Sequence, residues 1–117
     1  MRLRSTAIEL VALLLLGSLA PAVALETVTI RSCYDGDTCR STAGERVRLA
    51  CIDAPERGEA GGRAATSALR RMVEGQVVGI RRITRHRYGR TIGELYVDGI
   101  NVGEELLNQG HAWNCWC

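Results

Sequence analysis

Arg46-Val47-Arg48-Leu49-Ala50-Cys51-Ile52-Asp53-Ala54-Pro55-Glu56 decides how this chain is read. From Arg46 to Ile52 the residues alternate as in a half-buried strand, with Val47, Leu49 and Cys51 on one face and Arg48 and Ala50 on the other. Pro55 favours an extended Ala54. The strand therefore ends there, and the Ala54 carbonyl is free to point away from the sheet. Asp53 and Glu56 flank this exit. Carboxylates beside a main-chain carbonyl are hard oxygen donors of the kind Ca²⁺ takes.

Upstream, Thr27 to Ser32 alternates and is rich in β-branched residues, which predicts a strand. Asp35-Gly36 is a turn signal, and Thr38 to Ser41 is a second strand, joined to the quoted one by a turn at Ala43-Gly44. Downstream, Ala64, Ala65, Ala68, Leu69, Met72 and Val73 recur at helical spacing and predict a helix over Arg63 to Glu74, stopped by Gly75. Gln76 to Thr84 and Thr91 to Val97 are two more strands, the latter closed by an Asp98-Gly99 turn. A short helix is predicted over Val102 to Gln109, with Asn101 and Glu104 at capping spacing and Gly110 as its stop. Three strands, a helix, two strands and a helix make a mainly β, α+β domain. The order fits a five-stranded, partly open barrel of the OB type with two helices.

The first residues stand apart. Arg2 and Arg4 precede an apolar stretch from Ala7 to Ala20, and Ala22-Val23-Ala24 is a small-x-small cleavage pattern. This is the make-up of a secretory signal. Residues 1–24 are expected to be removed, leaving one domain over 25–117, periplasmic or secreted and with no membrane attachment after cleavage. Net charge is +2, so the overall balance names no partner. All 15 basic residues are Arg, the side chain best suited to two-pronged phosphate contact.

The five cysteines are Cys33, Cys39, Cys51, Cys115 and Cys117. Export favours disulfides, and an odd count leaves one thiol over or shared with another molecule. The pairing is open. Cys51, among core-facing positions, is expected as a buried thiol. No CxxC pair supports a zinc site. An EF-hand is excluded, because the loop opening at Asp35 has Cys39 at its fifth position and Arg46 at its twelfth.

Taken singly, the polar residues have ordinary explanations. Asp-Gly turns punctuate hairpins, Arg48 would be a solvated strand residue, and Arg81, Arg82, Arg85, Arg87 and Arg90 around His86 would be a basic patch. Together they carry more. Asp35-Gly36-Asp37-Thr38, then Arg48 to Glu56, then Tyr88-Gly89-Arg90 and Gln109-Gly110-His111-Ala112-Trp113 resemble the staphylococcal nuclease family in order and approximate spacing. The resemblance implies a Ca²⁺-dependent nuclease acting on DNA or RNA and leaving 3′-phosphate ends. Asp37, Asp53 and the Ala54 carbonyl would hold Ca²⁺, with Thr38 near its water shell and Asp35 as an accessory acid. Glu56 would hold or deprotonate the attacking water. Arg48 and Arg90 would grip the phosphodiester. Tyr88 would pack near a base or sugar, with Arg87 beside it on the substrate. A monomer without a stable protein partner is expected. The family's third, C-terminal helix is expected to be absent here, Trp113 and Trp116 covering the barrel end instead. Cys115 or Cys117 would then be tied to Cys33, Cys39 or Cys51. The alternative is an OB-fold module that holds single-stranded nucleic acid without cutting it. Sparse aromatics and the joint presence of Asp37, Asp53, Glu56, Arg48 and Arg90 favour the enzyme. A disulfide-stapled structural protein is a further alternative.

Overall fold

A computed structural model describes residues 24–86 and 88–117. The expected signal segment, up to residue 23, and the substrate contact expected of Arg87 lie outside the described residues. The strands are β1 (Glu26–Cys33), β2 (Thr38–Ser41), β3 (Arg46–Leu49), β4 (Ile52–Asp53), β5 (Val77–Arg85), β6 (Thr91–Val97), β7 (Ile100–Asn101) and β8 (Trp113–Asn114). The helices are α1 (Gly62–Val73), between β4 and β5, and α2 (Val102–Asn108), after β7.

Strands lie in the order β3-β2-β1-β5-β6-β7, and a further pairing of β3 with β6 closes five of them into a barrel. That closure is parallel, with Val47 opposite Thr91 and Leu49 opposite Gly93. The other strand contacts are antiparallel. This is the mainly β, α+β barrel with two helices that the element order predicts. Val47, Leu49, Val78, Ile80 and Leu95 point inward at every second position of their strands. In β1 the inward residues are Ile30 and Cys33, three apart, which strict alternation forbids. A bulge between Ile30 and Ser32 adds one residue against β2 and resets the alternation. Leu69 and Val73 of α1 and Leu106 of α2 complete the core. Along α1 the stripe differs from prediction at its start. Ala64 is exposed, and Thr66 is buried with its hydroxyl donating to the Gly62 carbonyl (2.8 Å).

The helix ends follow the sequence signals. Asn101 accepts from the Glu104 N–H (3.1 Å). At the other end of α2, Gly110 donates to the Leu107 carbonyl and His111 to that of Leu106, a Schellman closure.

Three expectations need correction. The quoted strand does not run to Ile52: β3 stops at Leu49, and Cys51 adopts a left-handed conformation (φ 66°). The chain turns a corner there and resumes as β4, which pairs with β8. Cys51 is thereby rotated out of the inward-facing set, and it is bonded to Cys117 rather than left as a buried thiol. Cys33 and Cys39 form the second disulfide, and Cys115 is free. The tryptophans do not roof the barrel: Trp113 is about half exposed and Trp116 98% exposed.

Candidate active site

Two chain corners build the site. The first is the loop from Tyr34 to Asp37, between the directly paired Cys33 and Cys39 of β1 and β2. The second is the Leu49 to Ala54 corner. Gly36 lets them meet. A methyl group built on it would lie 2.7 Å from the Ala54 Cβ and 2.8 Å from the Ala65 Cβ of α1, so only glycine lets this loop lie so close.

Asp37 is buried, 7% exposed, and serves both corners. Its Oδ2 accepts from the Ala54 N–H (3.1 Å), its Oδ1 from the Thr38 hydroxyl (2.9 Å), and its carbonyl from the Leu49 N–H (2.8 Å). Asp35 Oδ1 in turn accepts from the Asp37 N–H (3.1 Å). Burial, and then the Asp37 carboxylate beside it, push the Asp35 carboxyl above the usual aspartate value.

Arg48 lies across the second corner. Its Nη1 donates to the carbonyls of Leu49 (2.6 Å) and Ile52 (2.8 Å), satisfying backbone acceptors where the turn at Cys51 interrupts the sheet. Its Nη2 bonds to Asp53 Oδ1 and lies 3.5 Å from Asp37 Oδ2. The sequence does not foresee this anchoring. A guanidinium five residues before Asp53 reads as solvated, and only the left-handed Cys51 folds it back.

The remaining expected residues are placed less tightly. Glu56 is exposed. Its N–H donates to Glu59 Oε1 (2.9 Å), and its carboxylate has no partner among the described residues. The Gly62 at the start of α1 lies against the Glu56 carbonyl, where a Cβ would come within 1.8 Å. Arg90 has no carboxylate partner among the described residues and lines an open groove of about 480 Å³, together with Asp35 and Thr38. Tyr88 is exposed, its ring 5.1 Å from that of His86. The structure thus brings Asp35, Asp37, Thr38, Arg48, Asp53 and Ala54 together. Arg90 shares the groove lining with Asp35 and Thr38, and Glu56 lies on the loop leaving the second corner.

The donor chemistry suits a hard cation. Two carboxylates from distant segments reach the same guanidinium, a third carboxylate crowds one of them, and a main-chain carbonyl follows directly. No ready-made group of three His, Cys, Asp or Glu ligands occurs among the described residues. An ion held by Asp37 and Asp53 would therefore take further oxygens from main chain, water and substrate, as Ca²⁺ does.

The comparisons with known proteins agree with the motif reading. A family model described as "Staphylococcal nuclease homologue" matches residues 46–116, more than half of the chain. An "Uncharacterized endonuclease" of Escherichia coli is 40% identical over 83 residues, which cover 68% of this chain and 54% of that protein. Another, of Haemophilus influenzae, is 36% identical over 112 residues, 91% of this chain and 63% of the other. The "Staphylococcal-like nuclease CAN1" of Arabidopsis thaliana is 41% identical over 69 residues, 59% of this chain and 21% of the plant protein. The chain spans about half the length of the Escherichia coli relative.

Proposed function

Because the chain belongs to the staphylococcal nuclease family, we propose that it is an exported, Ca²⁺-dependent endonuclease that hydrolyses phosphodiester bonds in DNA or RNA and leaves 3′-phosphate ends. The observation that carries this reading is the convergence of Asp37 and Asp53, from separate corners, on the single Arg48 guanidinium, with Arg90, which has no carboxylate partner among the described residues, lining the same groove as Asp35 and Thr38. Two disulfides support export, since such bonds persist in oxidising compartments. The protein acts as a monomer.

Asp37, Asp53 and the Ala54 carbonyl hold Ca²⁺, with Thr38 steadying Asp37 and Asp35 adding negative charge nearby. The ion, when bound, neutralises charge building at phosphorus and orients substrate and water. Arg90 donates to non-bridging phosphate oxygens. Arg48 does the same while staying braced on the corner carbonyls, a preorganised donor of the sort that lowers such barriers most. Glu56 accepts a proton from the water whose oxygen attacks phosphorus. The bond to the 5′ oxygen breaks, that oxygen takes up a proton, and the phosphate stays on the 3′ side. Tyr88 packs against a base or sugar, and Arg87 contacts the strand beside it.

The deciding experiment is cleavage of heat-denatured DNA with Ca²⁺ and then with excess EGTA. Degradation that needs Ca²⁺ and disappears in Asp37→Ala is the expected result. A folded protein that binds the strand without cutting it would replace this reading with the binding module.

A further inference from the structure

Eight of the described arginines have no salt bridge to a carboxylate among the described residues, and four of these share one groove. Arg48, Arg81 and Arg82 are each bonded to carboxylates. Arg40, Arg46, Arg57 and Arg90 have no carboxylate partner among the described residues, and all four line the same groove. Arg70 lines it too, though its side chain is spent on the Cys33 carbonyl (3.1 and 2.9 Å) and on Glu74. Among the described residues, Asp35 is the one carboxylate in the lining.

Arg40 and Arg46 make the imbalance pointed. They are cross-strand partners on β2 and β3, and like charges directly opposite each other destabilise a sheet. Arg40 reaches only the Gly44 carbonyl (3.4 Å), and Arg46 has no side-chain partner among the described residues. The repulsion is relieved if an anion lies between them. Arg57 leads onward: its guanidinium sits 5.7 Å from the ring centre of Tyr34, which is 71% exposed. A second recess shares Arg57 and Arg70 with the first and adds Arg63 of α1.

We propose that Arg40, Arg46, Arg57 and Arg63 form a track for the phosphodiester backbone of single-stranded nucleic acid. It starts in the groove that Asp35, Thr38 and Arg90 also line and runs past Tyr34 toward α1. The inference rests on the nuclease reading and extends it from the scissile bond to the strand beyond. A guanidinium fork contacts two phosphate oxygens at once, and Tyr34 offers an exposed ring on which a base can stack, the combination that single-strand grooves use.

The test is binding in EGTA, which separates holding a strand from cutting it. Fluorescence anisotropy is read on labelled dT10, dT2 and a ten-base-pair duplex over a salt series, for the protein and for Arg40→Gln/Arg46→Gln. Two lost phosphate contacts make the salt slope for dT10 shallower by about 1.4 and weaken binding on the order of ten-fold. Binding of dT2, which reaches only the cleavage centre, is expected to be unchanged. Melting temperature should hold or rise, because a like-charge pair has been removed. Arg63→Gln, on an exposed helix position, is the second variant and should weaken dT10 but not dT2. An unchanged slope, an equal loss on dT2, tighter binding of duplex than of dT10, or a lower melting temperature in the double variant would overturn the track. Wild-type protein that binds dT10 with the expected slope but cuts nothing when Ca²⁺ is added would count for the track and against the nuclease.

Discussion

Alanine at Gly36 would force its methyl group against Ala54 and Ala65. Either the Asp35–Asp37 loop lifts or α1 shifts, and overpacking of this kind costs about 1–3 kcal/mol. Gly36→Ala should therefore lower stability by that amount in urea titration and should also weaken the proposed Ca²⁺-dependent cleavage, because Asp37 would lose its bond from the Ala54 N–H. Unchanged stability would mean that the loop has room to move. Glu56 calls for the opposite signature. Its carboxylate is exposed and supports no contact among the described residues, so Glu56→Gln should fold and bind the strand normally while turnover falls roughly 10²- to 10⁴-fold, the usual worth of a general base. Full activity would remove Glu56 from the mechanism. At this scale the sequence offered the candidate acids, since those around Ala54-Pro55 and in the Asp-Gly-Asp turn are visible as letters. It did not show what holds them. The closeness of Gly36 to Ala54 depends on where α1 lands, and the inward turn of Arg48 depends on a left-handed cysteine that no local signal marks.

Among the elements, β4 and β8 are two residues each, and their pairing sets Asp53 opposite Trp113. So short a ladder is marginal alone, and the Cys51–Cys117 bridge fastens its end. Cys51→Ser is the informative variant, because the Cys115 N–H already donates to the Cys51 carbonyl (3.0 Å), which leaves Cys115 next in line for Cys51 if Cys117 alone is removed. Loss of the bridge is expected to cost about 2–4 kcal/mol, the usual range for a long closed loop, read as a lower melting temperature that matches the wild type under dithiothreitol once the effect of Cys33–Cys39 is subtracted. Equal melting of Cys51→Ser and the oxidised wild type would make the bridge incidental. The longer strands and both helices were legible because alternation and helical spacing repeat over enough residues to be seen. The two-residue strands β4, β7 and β8 leave no such repeat. The disulfide pairing was hidden for the same reason, since it follows from the β1 bulge and the corner at Cys51.

Across the whole molecule, one polar cluster ties β1, β5 and β6 of the barrel wall together. Arg82 of β5 forks onto Glu45 (2.8 and 2.8 Å) and reaches Glu26 of β1 (2.5 Å), while Thr91 of β6 donates to Glu45 (2.7 Å). The Arg82 guanidinium bonded to Glu45 holds its carboxyl down at about 2, well below the usual glutamate value of about 4.5. A group depressed on folding stabilises the protein above its unfolded value, and that contribution fades as pH falls from about 4.5 through about 2. Stability in urea titration should therefore drop more between pH 5 and pH 2 in the wild type than in Glu45→Gln, by on the order of 1 kcal/mol after discounting for solvent screening. Parallel curves would show the fork to be idle. The barrel itself was legible from element order, but its closure was not, because nothing in β3 or β6 names the other as partner. That closure also has a bearing on time. The β1–β2–β3 meander and the β5–β6 hairpin join neighbours in the chain and can form within microseconds to tens of microseconds. β3 and β6 can meet only after α1 and β5 have come between them, and long-range pairing of this kind sets the pace of folding, on a scale of milliseconds to seconds. For that interval both strands are open edges, available to each other or to a second unfinished copy, so crowding during refolding would be felt first at this seam.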